Sequence, residues 1–194
     1  MKKIIYGLLT LVGLAVIAQW LMPTLNSGKE LPAILGSKTF SQTDEEYLVY
    51  FYQDTCHYCE LLDPTIAKAY ATGMTMYKVD MAAEENVGLW YDWEAHHEEY
   101  DVEIGEVIDG ERVLYEGVSE SDYASAEWAI REIDDKVVAT HNNAYANFNP
   151  TSADEIEIAG TPVLIHIKNG ELVKMTGGYN ESETYLSQLV DEAR

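Results

Sequence analysis

The sequence predicts an α/β fold, a central mixed sheet flanked by helices, with a mainly helical insertion late in the chain. Three observations carry that reading. An apolar run, a helical stripe and a second apolar run follow one another within about 35 residues, and a strand-helix-strand unit of that length implies parallel strands joined by a right-handed crossover. Near the C-terminus two apolar runs flank Asn169-Gly170 and lead into an amphipathic stripe, the pattern of a hairpin followed by a covering helix. Finally, 194 residues at 47% hydrophobic suffice for one sizeable core, and are too few for two full domains plus a linker.

The elements follow in order. Met1-Lys2-Lys3 is basic, and the 19 residues from Ile4 to Met22 carry no charge. As a helix this run is about 28 Å long, close to the hydrocarbon thickness of a bilayer. Residues 1–28 are therefore read as a signal-anchor, or a signal peptide, with a short tether; "AVIA" before Gln19 offers small residues for cleavage, and Trp20 suits a membrane interface. Lys2 and Lys3 stay on the cytoplasmic side by the positive-inside rule. Residues 29–194 are thus expected outside the cytoplasm, on a single-pass cell-membrane anchor or secreted after cleavage.

From Glu46, "EYLVYFYQ" suits a central strand buried on both faces. "DTCHYCELLDPTIAKAYATG" places Leu61, Leu62, Ile66, Ala69 and Tyr70 at helical spacing and stops at Gly73, and "MTMYKVDM" reads as the second strand. The insertion, at about 88–153, puts Trp90, Trp93, His97, Tyr100 and Ile104 on one helical stripe, with the His96-His97-Glu98-Glu99 cluster as a solvated helix face. Asp109-Gly110 marks a hairpin there. Ile130, Ile133, Val137, His141, Ala144 and Phe148 then recur every three or four residues, which predicts a longer helix from about Asp122 to Phe148. "TPVLIHIKNGELVKMTGG" closes the sheet with an antiparallel pair. A last helix, starting near Glu181 or Ser182, presents Tyr185, Leu186, Leu189, Val190 and Ala193 on one face.

The net charge of −22 argues against nucleic acid and anionic headgroups, both of which need a basic surface. Residues 82–158 hold 21 Asp and Glu against 3 Lys and Arg, or −18 of that charge.

Both cysteines, Cys56 and Cys59, lie in "DTCHYCELLDP". At i and i+3 on the first turn of a helix they fall on the same side, close enough for a small disulfide ring. The first of them meets the unpaired N–H groups and the positive end of the helix dipole, worth roughly 0.3 to 2 kcal/mol to a thiolate. Cys56 is therefore the expected nucleophile and Cys59 the resolving thiol. A protonated His57 would lower the neighbouring thiol's pKa further, while Asp54 and Glu60 oppose this, so His57 and Tyr58 are candidates for tuning or contacting a substrate. A structural zinc would need two more ligands from His57, His96, His97, His141 and His166, and these lack the usual H-x3–5-H spacing. No metal is expected. A structural staple is a poor explanation as well, because so short a loop removes little unfolded-state entropy.

These residues resemble the thioredoxin superfamily. "LVYFYQDTCHYCELLDP" is similar to that family's active-site strand and helix, including Pro64, and "IAGTPVLIHIKNGELVKMTGGYNESETYLSQLV" is similar to its C-terminal half. There Thr161-Pro162 matches the cis-proline dipeptide beside the disulfide, and Gly178 the glycine after the last strand. The resemblance covers roughly residues 40–90 and 154–194. It implies a thioredoxin-like fold, with the insertion standing before the cis-proline, and thiol-disulfide exchange without a cofactor. It also implies that Pro162, with Thr161, offers backbone groups to an extended substrate strand beside Cys56.

The departures are specific. His57-Tyr58 replaces the Gly-Pro typical of thioredoxin, Thr55 replaces a tryptophan, and Tyr50 stands where thioredoxin carries a buried aspartate that helps deprotonate the resolving cysteine, so fast thioredoxin-like turnover is not implied. The function expected is a membrane-tethered, extracytoplasmic oxidoreductase that exchanges disulfides with cysteine-containing envelope proteins, with a membrane redox partner as a candidate for recycling it. A monomer is expected, since nothing resembles a dimerisation domain. The alternative class is an accessory binding module of a secretion or transport system, with the insertion as its docking surface. Reduction, oxidation and isomerisation share one site, so the motif does not set the direction of electron flow.

Overall fold

The computed structural model describes residues 31–193, and the helix expected in residues 1–28 lies outside the described residues. Chain order is β1 (Glu46–Tyr52), α1 (His57–Ala71), β2 (Met76–Asp80), α2 (Trp93–Tyr100), β3 (Val102–Ile108), β4 (Glu111–Leu114), β5 (Trp128–Ile133), β6 (Lys136–His141), β7 (Val163–Lys168), β8 (Glu171–Met175) and α3 (Gly178–Glu192). Among the described residues no helix is long and apolar enough to cross a membrane.

The first sheet has strand order β2-β1-β7-β8. β1 pairs parallel to β2, as the strand-helix-strand reading predicts, and antiparallel to β7. Asn169 and Gly170 both take positive φ, 54° and 78°, which a two-residue turn between twisted strands requires, and β8 pairs back onto β7. Tyr47 to Phe51 are all buried because β1 sits inside the sheet with both faces covered. On one face Leu48, Tyr50, Met76 and Leu164 pack against Leu62, Ile66 and Ala69 of α1 and Leu186 and Val190 of α3. On the other, Val49, Phe51, Val79 and Ile165 are covered by Ile156 and Ile158, with Phe40, Leu89 and Trp90 from loops and 3-10 turns. The α-helices of the core thus lie on a single face.

The insertion differs from expectation. It is a four-stranded antiparallel sheet, β4-β3-β6-β5, and its one α-helix is the two-turn α2. The helix predicted over Asp122 to Phe148 is instead the β5-β6 hairpin and an extended return segment. Asp134 and Asp135 both adopt positive φ, 48° and 62°, and make the turn. Trp128 and Ile130, then Val137 and Ala139, alternate inward around Ile104 with a period of two, which overrides their chance helical spacing. The stripe through Trp93 and Tyr100 holds only to Tyr100; Ile104 belongs to β3, where a bulge falls between Glu103 and Gly105. The Asp109-Gly110 hairpin forms as predicted.

Asp92 fixes the start of α2, its carboxylate accepting the Ala95 N–H at 2.9 Å. With no cap, Asp92→Ala should cost ~1 kcal/mol, read as a lower urea midpoint at unchanged slope.

Candidate active site

Cys56 is the cap of α1. β1 ends at Tyr52, and a turn closed by the Cys56 N–H on the Gln53 carbonyl (3.1 Å) delivers the sulfur to the helix N-terminus. There Sγ accepts the Cys59 N–H at 3.2 Å. From 105 residues away, the Thr161 carbonyl comes within 3.3 Å of the same sulfur, and the Thr161-Pro162 peptide bond is cis. Cys56, Cys59, Thr161 and Pro162 therefore meet at one place.

The two thiols differ in environment. For Cys56, partial burial favours the neutral form, but hydrogen bonding at the sulfur, led by the Cys59 side chain, outweighs it and holds the thiol below its ordinary 9.0. The contact with the Thr161 carbonyl runs the other way, since the thiol donates there, whereas the Cys59 N–H donates to the sulfur. Cys59 is 3% exposed, and burial, followed by its hydrogen bond with Cys56, pushes it up to about 11. The pair thus sets a more readily ionised, half-buried thiol in front of a protonated, buried one.

The tuning candidates are less engaged. His57 stands 3.9 Å from Glu60 with both side chains exposed, so it is not locked against the sulfur. Tyr58 is exposed and stacks on Tyr179 at 6.3 Å between ring centroids. The Thr161 hydroxyl reaches only to Gln53 Oε1 at 3.5 Å. Tyr50 is buried under the motif with its hydroxyl 3.4 Å from the Cys59 carbonyl, and burial, then Cys59, drives its pKa far upward. It stays neutral at physiological pH and offers no base to Cys59.

A second constellation is absent from the sequence reading. His96, expected on a solvated face, is buried: its Nε2 meets His141 Nδ1 at 2.8 Å and its Nδ1 meets the Tyr91 hydroxyl at 2.7 Å. His97, expected both on the apolar stripe and in the solvated cluster, turns outward to Asp101 at 3.0 Å. Asp101 also accepts the His141 N–H at 2.9 Å, and Tyr100 and Tyr145 close around the histidine pair. Trp93, one turn before His96, donates its indole N–H to the Ala159 carbonyl at 2.9 Å, two residues before Thr161. The spacing Trp93, His96, Tyr100 was the available signal. Among the described residues no three His, Cys, Asp or Glu side chains are placed to hold a metal ion.

Buried neutral histidines make the fold acid-sensitive. His96 is pushed down by burial and then by the neighbouring His141 and His97, with Asp101 opposing; His166 is pushed down by burial, with Glu46 at 3.0 Å opposing. Below the ordinary 6.5 the unfolded chain binds the protons first, so this stability is complete above pH 6.5 and declines as pH falls toward the depressed folded values. The slope is at most roughly 1.4 kcal/mol per pH unit per histidine. The carboxylates held low, Glu46, Glu103 and Glu181 among them, add their own loss only below about 4.5. The urea midpoint should therefore fall between pH 7 and 5.5, and His96→Gln should fall less steeply across that window; parallel profiles would refute the assignment.

The chain belongs to the thioredoxin-like family: the model of a thioredoxin-like domain matches residues 36–194. Its fold is similar to that of thioredoxin f2 from Chlamydomonas reinhardtii, at 14% identity over 84% of this chain and 95% of that one, with a TM-score of 0.40. It is similar also to mitochondrial thioredoxin 3 from Saccharomyces cerevisiae, at 11% identity over 84% and 96% of the two chains, TM-score 0.40. No match is found among curated proteins.

Proposed function

We propose that the protein is a thiol-disulfide oxidoreductase. One observation carries this reading: the Cys56 sulfur lies between the Cys59 N–H at 3.2 Å and the carbonyl of Thr161, beside Pro162, at 3.3 Å. In the reductive direction the Cys56 thiolate attacks one sulfur of a substrate disulfide. That bond breaks, the departing sulfur leaves as a thiolate and takes a proton, and Cys56 is left in a mixed disulfide. Cys59 loses its proton, attacks the Cys56 sulfur and expels the second substrate thiol, so the substrate gains two electrons and the Cys56-Cys59 pair becomes the disulfide. Oxidation of a substrate is the same path reversed.

The proposed setting is the outer side of a cell membrane, with cysteine-containing envelope proteins as substrates. It is supported by the basic Met1-Lys2-Lys3, the uncharged run Ile4 to Met22, and a net charge that disfavours nucleic acid. A single-pass anchor and a membrane redox partner belong to the same proposal.

The test is a titration of the Cys56-Cys59 pair against glutathione buffers in the full chain. A potential near or below about −230 mV makes it a reductant, and one above about −180 mV an oxidant. If the pair shows no reversible two-electron equilibrium, or if cellular function survives Cys56→Ala/Cys59→Ala, the chain is instead an accessory binding module.

A further inference from the structure

We propose that the insertion builds a substrate groove selective for a basic peptide segment next to the reactive disulfide; this rests on the oxidoreductase reading. A groove of about 300 Å3 runs between the insertion and the first sheet, and Thr161, which touches the Cys56 sulfur, is part of its wall. A chain whose sulfur is joined to Cys56 therefore has this groove as its continuation. The thioredoxin-like core supplies the floor, with Val163 and Met175; the insertion supplies Trp93, Ala144 and Phe148.

The insertion wall is fixed in place. Trp93 is tied to the Ala159 carbonyl, and α2 is held from behind by the His96-His141 pair. The Phe148 ring lies over Gly177 so closely that a Cβ there would sit 3.1 Å from it, yet 43% of Phe148 remains exposed. An apolar side chain of the bound segment would cover that ring.

The charge is complementary to a cation. Glu157 lines the groove, and the region from 82 to 158 carries −18. Of its three basic side chains, Arg112 already bridges Glu120 and Glu132, and Lys136 bridges Glu103 and Glu106. The field of the remaining carboxylates is left for a partner, and a Lys or Arg near the substrate cysteine would meet it. An acidic segment would be repelled.

The experiment is single-turnover exchange by the reduced full chain with two disulfide peptides of equal length, both with an apolar residue beside the cysteine, one carrying Lys and the other Glu. Neutral 2-hydroxyethyl disulfide is the reference. At low salt the Lys peptide is expected to react about tenfold faster or more, with the ratio falling toward unity at high salt. Phe148→Ser should lower the rate of the Lys peptide relative to the reference disulfide, and Glu157→Gln should narrow the Lys-to-Glu ratio. Equal rates for the two peptides at low salt overturn the inference while leaving the oxidoreductase reading intact, as does a Lys-to-reference ratio unmoved by Phe148→Ser. Failure of all three disulfides to react with the reduced chain, together with failure of the oxidised chain to oxidise the reduced peptides, removes the oxidoreductase reading, and the inference with it.

Discussion

Cys59→Ala is expected to accumulate as a mixed disulfide with its substrate, while Cys56→Ala forms none. The asymmetry follows from where each sulfur lies. Cys56 is half-buried at the helix N-terminus with donors aimed at it, so it is both reachable and ionisable. Cys59 is covered by α1 and the sheet, and burial pushes it up to about 11, so it stays protonated at pH 7. Removing Cys59 leaves no thiol close enough to expel the substrate; removing Cys56 leaves one that substrates cannot reach. The same difference predicts that iodoacetamide at pH 7 modifies the reduced wild-type chain at Cys56 almost alone, which peptide mass spectrometry reads directly. Comparable labelling of both cysteines would contradict the assignment.

Tyr50 bears on the second half of that cycle. Resolution requires Cys59 to lose a proton inside a buried site, and the side chain beneath it is a neutral phenol, not a carboxylate. The proton must leave by the substrate's departing sulfur or by the Cys56 side of the site. The step is thus expected to accelerate with pH, in contrast to the attack by Cys56, whose ionisation is complete earlier.

How much of this was legible in the sequence depended on the range of the interaction that decides it. The Asn169-Gly170 and Asp109-Gly110 turns were visible because their backbone demands are met by two adjacent residues. The β5-β6 hairpin turns on Asp134-Asp135, which meet the same demand without glycine, and Ile130, Ile133, Val137 and His141 satisfied a helical period by coincidence. His96 is buried by a partner 45 residues away on β6, and the chance helical spacing of that strand hides the pairing in the sequence. The candidate site involves a still longer separation, Cys56 to Thr161, and the expectation that these segments meet came from the resemblance of both to one family.

Gly105→Ala should unfold the second sheet and spare the first. Gly105 follows the bulge in β3, and a Cβ there would lie 2.4 Å from the Val113 carbonyl oxygen and 2.9 Å from Leu114 Cα. Both are backbone atoms of the paired β4 strand, so no rotamer relieves the overlap, and the cost belongs at or above the upper end of the ~1–3 kcal/mol typical of overpacking. Relief requires β4 to leave β3, which would uncover Ile104 and Leu114 and pull Arg112 from Glu120 and Glu132. The core of this sheet, around Ile104, Val137 and Ala139, shares no buried residue with the two clusters that hold β1 and β7. Amides of Val107 and Val137 should then lose hydrogen-exchange protection while those of Val49 and Ile165 keep it. Exchange with 2-hydroxyethyl disulfide should persist, because the Cys56 site is built on the first sheet, and the preference for the Lys peptide should shrink with the insertion that supplies it. Loss of protection in both sheets together would mean that the insertion and the redox core fold as a single cooperative unit.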